Sequence, residues 1–460
     1  MAELSKMDKL ISLCKRRGFI FPSSEIYGGY SAIYDFGPLG VELSNNIKKA
    51  WWRMFVRERD DMVGLDSSIL MSPKIWEASG HVQNFSDPLV DCKKCHQRFR
   101  ADHLLESAGL KPGYDKDQPL DTKGLKCPEC GGELTESRQF NLMFKTQVGS
   151  MEGSTSEAYL RPETAGGIFV NYKNVQQTMR KKLPFGIGQI GKAFRNEITV
   201  ENYIFRVREF EQMEIEYFIK PDNWEKHFEE LLNLMKKWCA YLGLKEANLV
   251  YHEIADEERA FYSKRTIDIE YNYPFGQKEL YGLAYRTDYD LGRHQKFSGE
   301  DLTYLDPETN EKTLPHVIEP SFGLQRTILA VLSEAFEEVK GGRSTTTESN
   351  KEEEMVLRLP YDLAPVKIAI FPLSKKEPLL GIAEDIAKDL CPFWNVQYDE
   401  TGSVGKRYRR QDEIGTPYCI TVDFDTPNDG KVTVRDRDTM EQERVEVKEL
   451  RNFFQKKLIY

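Results

Sequence analysis

Between residues 186 and 217 the chain reads GIGQIGKAFRNEITVENYIFRVREFEQMEIEY, its densest run of chemically capable side chains. Phe194-Arg195-Asn196-Glu197 ends one expected strand, a polar loop follows, and Arg206-Val207-Arg208-Glu209-Phe210-Glu211-Gln212-Met213-Glu214 opens the next. Burying so many charges on one antiparallel pair is costly unless a charged ligand compensates them. The ordinary alternative is an exposed, salt-bridged sheet face. Here cation and carboxylate alternate beside an aromatic, which suits a triphosphate, a ring and an ammonium held together. A second cluster is Cys92-Lys-Lys-Cys95 and Cys127-Pro-Glu-Cys130, the latter followed by Gly131-Gly132. Two such knuckles supply the four thiolates of a tetrahedral Zn²⁺ site better than they suit buried thiols or a redox pair.

The elements that position these residues follow from periodicity. Residues 8–20 have helical apolar spacing and end at Gly18. Turn residues Gly28-Gly29 and Gly37-Pro38 lead to a helix from about Val41 to Asp60, with Leu43, Ile47, Trp51, Met54 and Phe55 on one face. Ser67 to Met71 reads as a strand closed by Ser72-Pro73. From about Val90 to Asn141 the composition turns polar around the cysteine pairs, as in an insertion. The segments 183–220, 246–286 and 314–336 alternate like antiparallel strands, and 222–243 is an amphipathic helix. Residues 341–354, GGRSTTTESNKEEE, lack apolar side chains and read as a solvated linker. Beyond it strands and helices alternate: 366–371, 394–398, 418–424 and 431–435 as strands, 378–391, 404–415 and 447–457 as helices. An α+β chain is expected, with an antiparallel-sheet domain over 1–340, a linker over 341–360 and an α/β domain over 361–460.

Composition bounds the function. The 460 residues allow two to four units, and 40% hydrophobic with 30% charged residues is a globular balance. No window approaches 18 consecutive apolar residues, so no membrane span is expected. The N-terminal segment, with charges in every turn, has no signal-peptide core, and a cytoplasmic protein is expected. Lys+Arg 64 against Asp+Glu 74 gives a net charge of −10, so a nucleic acid would have to meet a local basic patch. Cys14, Cys239, Cys391 and Cys419 lie in apolar surroundings and are expected in the core.

The run Phe-Arg-x-Glu, loop, Arg-Glu-Phe-x-Gln resembles motif 2 of the class II aminoacyl-tRNA synthetases. The 41–60 helix, strand and Pro73 resemble motif 1, which serves dimerisation in that family, and Gly323-Leu324-Gln325-Arg326 opening a helix resembles motif 3. Gly18 to Gly29, Trp76 to His81, Phe99 to His103, Leu160 to Ala165, Glu279 to Gly282, Arg286 to Asp290 and His316 to Gly323 are similar to signatures of the dimeric glycyl-tRNA synthetases. The resemblance covers nearly the whole chain and implies a zinc-knuckle insertion in the catalytic domain and a C-terminal anticodon-binding domain. One departure is Gly166, where bacterial-type members carry glutamine.

The resemblance implies a site for ATP with Mg²⁺. Arg195 would hold the α-phosphate and Arg326 the γ-phosphate, as the catalytic arginines. Phe210 would stack on adenine, Glu197 and Glu209 lie on the adenine and ribose side, and Glu279 meet the Mg²⁺. Asn196, Phe205, Arg206, Val207, Arg208, Leu280, Gly323, Leu324 and Gln325 complete that expected site. For glycine, Glu163, Glu214, Glu319 and Ser321 would surround the ammonium and Arg100 face the carboxylate, with Phe210, Glu211, Gln212, Met213 and Gly323 alongside. Clustered carboxylates raise one another's pKa, a strain that an ammonium relieves. Arg161, His81, His103 and His316 are expected to be packing or hydrogen-bonding residues. Lys406-Arg407-Tyr408-Arg409-Arg410 suits an RNA backbone and a stacked base, a solvated basic helix being the alternative. The expected partners are glycine, its tRNA and a second copy of the chain, with no membrane. A synthetase-like accessory subunit without catalysis is the other reading, which the retained arginines and carboxylates disfavour.

Overall fold

The computed structural model describes residues 4–110, 120–149, 156–198, 202–257, 259–260, 262–341 and 353–458. Helix α1 (Lys6–Arg17) starts from a Ser5–Asp8 capping box and closes at Gly18, in the left-handed region with φ 77°. Strands β1 (Ile20–Pro22) and β2 (Tyr34–Phe36) form a ribbon that leads into α2 (Pro38–Trp52), extended by a π turn over Arg53–Arg57. Strand β3 (Met62–Gly64) follows. The strand expected over 67–71 is instead irregular. The Ser67 and Ser68 carbonyls accept from Arg161 Nη1 at 2.7 and 3.4 Å, and of that segment only Leu70 bridges, to Leu160. Carbonyls given to a guanidinium cannot serve a strand ladder.

Helices α3 (Pro73–Ser79) and α4 (His81–Asn84) precede β4 (Ser86–Asp91), β5 (Arg98–Arg100), α5 (Ala101–Ser107) and β6 (Arg138–Asn141). The three strands make an antiparallel sheet in the order β5-β4-β6, whose end carries the cysteine knuckles. After the ribbon of β7 (Lys145–Val148) and β8 (Ser156–Tyr159) comes α6 (Ala165–Thr178).

The large sheet is built from β9 (Phe185–Phe194), β10 (Glu209–Ile219), β11 (Leu249–Glu253), β12 (Arg265–Tyr273) and β13 (Gly276–Thr287). A short ribbon of β14 (Tyr304–Leu305) and β15 (Lys312–Thr313) precedes its last strand, β16 (His316–Gly323). Seven strands run in the order β11-β12-β13-β16-β10-β9-β3, antiparallel except for the β3–β9 pair. Helices α7 (Trp224–Tyr241), α8 (Tyr289–Ser298) and α9 (Leu324–Ala335) pack around it.

Period-2 alternation decides the two faces. Met213, Ile215 and Tyr217 of β10 join Ile318 and Phe322 of β16 and the α2 and α7 aromatics in the main core. Phe218 turns the other way, onto Phe169, Tyr172 and Leu291 of α6 and α8. The Trp51 and Phe55 side chains of α2 and its π turn, the helix likened to motif 1, are consumed inside the chain. Trp51 stacks on Phe55 at 5.4 Å, both meet Phe322, and both are fully buried.

Most of the expected linker, 342–352, lies outside the described residues. Its flanks pair as β17 (Phe336–Lys340) and β18 (Glu353–Leu357), and Leu357, Leu359, Leu363 and Val366 enter the main core. The C-terminal part then folds as β19 (Ile368–Pro372), α10 (Leu379–Leu390), β20 (Val396–Tyr398), α11 (Val404–Ile414), β21 (Tyr418–Val422), α12 (Thr426–Asp429), β22 (Lys431–Asp436), β23 (Gln442–Glu446) and α13 (Leu450–Lys457). Its sheet runs β20-β19-β21-β22-β23, with the first three strands parallel. A separate core lies beneath, around Ile370, Ile386, Trp394, Ile420 and Phe454. Cys14, Cys239 and Cys419 are buried as expected, but Cys391 is exposed because it follows the last turn of α10. No described helix is long and apolar enough to cross a membrane.

Candidate active site

The exposed end of the β9–β10 pair, β13, β16 and the start of α9 enclose a cavity of about 180 Å³. Arg195, Glu197, Phe205, Arg206, Val207, Phe210, Gln212, Glu279, Leu280, Ser321, Gly323, Gln325 and Arg326 line it. All thirteen stand among the residues singled out from sequence. Arg195 Nε donates to the Pro162 carbonyl at 3.0 Å, which aims the guanidinium across the Phe210 ring, 5.4 Å from its centroid. Arg326 lies over Phe205 at 4.6 Å and pairs with Glu279 Oε2 at 3.1 Å. That arginine holds the Glu279 carboxyl below its ordinary value. Arg206 faces Glu197 at 3.1 Å, and Gln325 Oε1 accepts from the Glu211 N–H at 2.9 Å, tying α9 to β10. Two guanidiniums on aromatic faces at one mouth suit an anion attached to a planar base.

Behind this cavity the buried face of β10 and β16 carries carboxyls where a sheet interior usually carries aliphatics. Glu214 and Glu216 alternate with core residues on β10, and Glu319 and Ser321 do so on β16, with Glu214 opposite Ser321 in register. Glu214 accepts from Thr164 Oγ1, from Gln212 Nε2 at 3.1 Å and from Ser321 Oγ at 3.0 Å. Burial, then Glu163, raises its pKa. Burial pushes Glu319 up to about 8 against the pull of Arg286, whose Nη1 donates to both its oxygens at 3.0 and 2.9 Å. Burial acts upward on Glu163 too, but His81, Arg286 and Arg195 prevail and hold it at about 2. A buried carboxylate cluster at unequal pKa values is a receptor for an ammonium.

The expected site residues take these positions. Arg100 donates to Asp87 Oδ2 at 3.0 Å and to both Asp102 oxygens, and the guanidinium bonded to the carboxylate cluster is that of Arg286. Glu209 pairs with Lys192 and Arg208 donates to the Glu197 and Ser31 carbonyls, outside the cavity lining. Asn196 binds backbone, its N–H donating to the Leu142 carbonyl, while Met213 and Leu324 are core. His81, expected to pack or hydrogen-bond, has Nε2 3.3 Å from Glu163 Oε2 and Nδ1 2.8 Å from Ser79 Oγ. Arg161 and His316 are structural, as expected. Gly166 opens α6 against Trp76, where an added Cβ would lie 2.9 Å from the indole ring, so a larger residue would need that space.

The basic run on α11 is turned inward. Arg407 is buried and donates to the Pro372, Glu400 and Gly402 carbonyls. Arg409 pairs with Glu354, Arg410 with Asp399, and Tyr408 packs edge-on to Phe371. Of the run, Lys406 is exposed.

Sequence reasoning gave no role to Arg286, Asp290 or Glu216. The signals were present: Arg286 and Asp290 are four apart where a strand turns into a helix, and Glu216 is two residues past Glu214 on one strand.

The four cysteine sulfurs lie within 4.8 Å of one another. Cys92 Sγ is 3.5 Å from Cys130 Sγ and Cys95 Sγ 3.6 Å from Cys127 Sγ, near the roughly 3.8 Å edge of a tetrahedron with Zn–S of about 2.3 Å. The Cys95 and Lys94 N–H groups donate to Cys92 Sγ and hold that thiol down at about 6. Gly132 is required at the second knuckle, because a Cβ there would fall 3.0 Å from Cys92 Sγ and 2.8 Å from Lys94 Cβ.

Residues 144–335 match the family described as tRNA synthetase class II core domain (G, H, P, S and T), and residues 367–457 the family described as Anticodon binding domain. The glycine–tRNA ligase of Geobacillus kaustophilus (strain HTA426) is 53% identical over 99% of each chain. That of Clostridium perfringens (strain 13 / Type A) is 54% identical over 100% of each. Among solved structures, prolyl-tRNA synthetase from Cryptosporidium parvum complexed with halofuginone and AMPPNP aligns at a TM-score of 0.61 over 98% of this chain and 77% of that one. At 15% identity that likeness is one of fold. Relatives matched from end to end at over half identity, with a core domain and an anticodon domain in the order the fold displays, place the chain in the glycine–tRNA ligase family of class II aminoacyl-tRNA synthetases.

Proposed function

We infer that the chain joins glycine to ATP as glycyl-adenylate, releasing pyrophosphate, and passes the glycine to the 3′ end of its tRNA. The observation that carries this reading is the cluster of Glu163, Glu214 and Glu319 beside a cavity lined by Arg195 and Arg326, joined to it through Ser321, which lines the cavity and donates to Glu214. Glycine offers only an ammonium and a carboxylate for recognition. The cluster takes the ammonium, with the Ser321 hydroxyl fixing Glu214. The glycine carboxylate then points toward the Arg195 end.

ATP lies with adenine on Phe210 beside Glu197. Arg195 donates to the α-phosphate as the carboxylate oxygen attacks it in line, and Arg326 to the γ-phosphate of the leaving pyrophosphate. No general base is needed, because the attacking carboxylate is already ionised; positioning and charge stabilisation suffice. Class II synthetases use ATP with Mg²⁺, and Glu279, held ionised by Arg326, is the carboxylate placed to hold it there. When bound, that ion neutralises phosphate charge.

Residues 1–340 act as the catalytic unit and 361–460 as the anticodon reader, joined through 341–360. The four cysteines, whose spacing and sulfur-to-sulfur proximity fit Zn²⁺, hold the 90–141 insertion. The enzyme works in the cytoplasm as a symmetric homodimer, with motif 1 as the support for that assembly now that the α2 aromatics are spoken for.

The test is ATP–pyrophosphate exchange measured with each of the twenty amino acids. Exchange driven by glycine alone is expected. Exchange driven equally by alanine or serine would defeat the assignment, since a rigid pocket clashes with an added methyl.

A further inference from the structure

We propose that Glu216 is the neutral acid of the glycine pocket, a positioning residue whose carboxyl keeps its proton in both the empty and the glycine-bound enzyme. Its role is to keep one further negative charge out of a pocket already rich in carboxylates. The proposal rests on the reading of the carboxylate cluster as the glycine site.

The geometry leaves little choice. Glu216 is fully buried, two residues along β10 from Glu214 on the same face, and oxygens of Glu214, Glu216 and Glu319 lie within 4.8 Å of one another. Among the described residues neither Glu216 oxygen has a hydrogen-bond partner. Its charged surroundings are Glu214 on its own strand, Glu319 on β16, Arg286 on β13 and Asp290 on α8. Strand β9 presents Ile187 opposite it, and the one charged residue of α6, Lys173, gives its ammonium to the Thr303 carbonyl.

The donors nearby are committed elsewhere. Arg286 places Nε and Nη2 on the two Asp290 oxygens at 2.7 and 2.9 Å, and Nη1 on Glu319. Thr164, Gln212 and Ser321 donate to Glu214. An ionised Glu216 would be a buried anion without a donor among anions, the costliest state a carboxyl can occupy. The protonated form carries no net charge and asks only for an acceptor, and the nearest candidates are the Glu214 and Glu319 oxygens within 4.8 Å. Burial, and next Glu319, raise its pKa well above the usual carboxylate range, in agreement. On glycine binding the ammonium displaces a proton from the cluster at Glu319, while Glu216, screened by the same Arg286–Asp290 pair, retains its own.

The experiment combines rescue with infrared spectroscopy on the full chain. Glu216→Ala removes the donor and should raise the glycine KM in pyrophosphate exchange at least tenfold with a smaller change in kcat. Glu216→Gln, neutral and able to donate, should return KM to within threefold of wild type. With saturating glycine the wild type should keep a protonated-carboxyl stretch at neutral pH that is missing from glycine-bound Glu216→Gln; the empty enzymes are not compared, because Glu319 also carries a proton there. Glutamine no better than alanine, or a wild-type spectrum with no such band when glycine is bound, overturns the proposal. If a variant does not fold, the wild-type spectrum with glycine decides alone. Absence of glycine-dependent exchange in the wild type would instead defeat the glycine-site reading itself.

Discussion

Replacing Arg286 by methionine tests the electrostatic logic of the site most directly. The guanidinium is 3% exposed, makes four charge-assisted hydrogen bonds to Asp290 and Glu319, and lies over the Tyr262 ring at 4.1 Å. Taken singly, four such bonds at about 1.5–3 kcal/mol each would exceed 6 kcal/mol. They act as one unit, however, and the stranded carboxylates can escape by taking up protons, so the loss should be that of a broken buried ion pair, about 3–5 kcal/mol. The escape has a signature. Each proton that the variant must bind to stay folded adds about 1.4 kcal/mol to its deficit per unit rise in pH. Urea unfolding followed by tryptophan fluorescence at about pH 6 and about pH 8 should therefore show Arg286→Met weakened at both and more so at the higher pH. Arg286→Lys, which keeps the charge but loses the fork, should fall between. A variant within 1 kcal/mol of wild type at both pH values would refute the account, because it would mean that Asp290 and Glu319 do not depend on this cation.

The remaining predictions are narrower. Glu319 is raised to about 8 from an ordinary 4.5, so the folded protein binds the extra proton between those values. Stability from this group is present at low pH and lost as pH rises toward 8, and the melting-temperature gain given by saturating glycine should grow from about pH 6 to about pH 8 as the ammonium meets an ionised carboxylate; an equal gain at both would contradict it. Gly166→Ala should gain about 0.5–1 kcal/mol of helix stability but lose about 1–3 kcal/mol against the fully buried Trp76, a net destabilisation visible as a lower thermal midpoint. Arg409→Glu, facing the buried Glu354, should destabilise the C-terminal domain, whereas Lys406→Glu should leave the fold intact and weaken aminoacylation without affecting pyrophosphate exchange; the reverse pattern would restore Arg409 as an RNA contact. Cys127→Ser should reduce bound zinc, read by metal analysis, and loosen the 90–141 insertion, and full activity of zinc-free protein would remove the metal from function.

What the sequence alone determined was whatever local chemistry and period dictate. The alternation from Glu209 to Ile219 announces a strand with one polar face, the Trp224–Tyr241 helix is amphipathic over five turns, and two CxxC turns can bring four sulfurs together wherever they sit. The arginines and carboxylates of the cavity were legible because their types are expensive to bury without a ligand. Tertiary structure decided the rest, through partners far apart in the chain. Arg286 becomes the pocket's cation only because β13 lies beside β16, and Glu216 loses every donor only because Arg286 turns to Asp290 and Glu319. Residues 67–71 have strand-like composition, yet the Arg161 guanidinium takes their carbonyls. Trp51 and Phe55 share one apolar face in the sequence, and what covers that face, Phe322 and Trp238, is supplied from far along the chain. On α11 the cations that suit RNA in one dimension meet Glu354 and Asp399 in three, since charge in a sequence has sign but no direction.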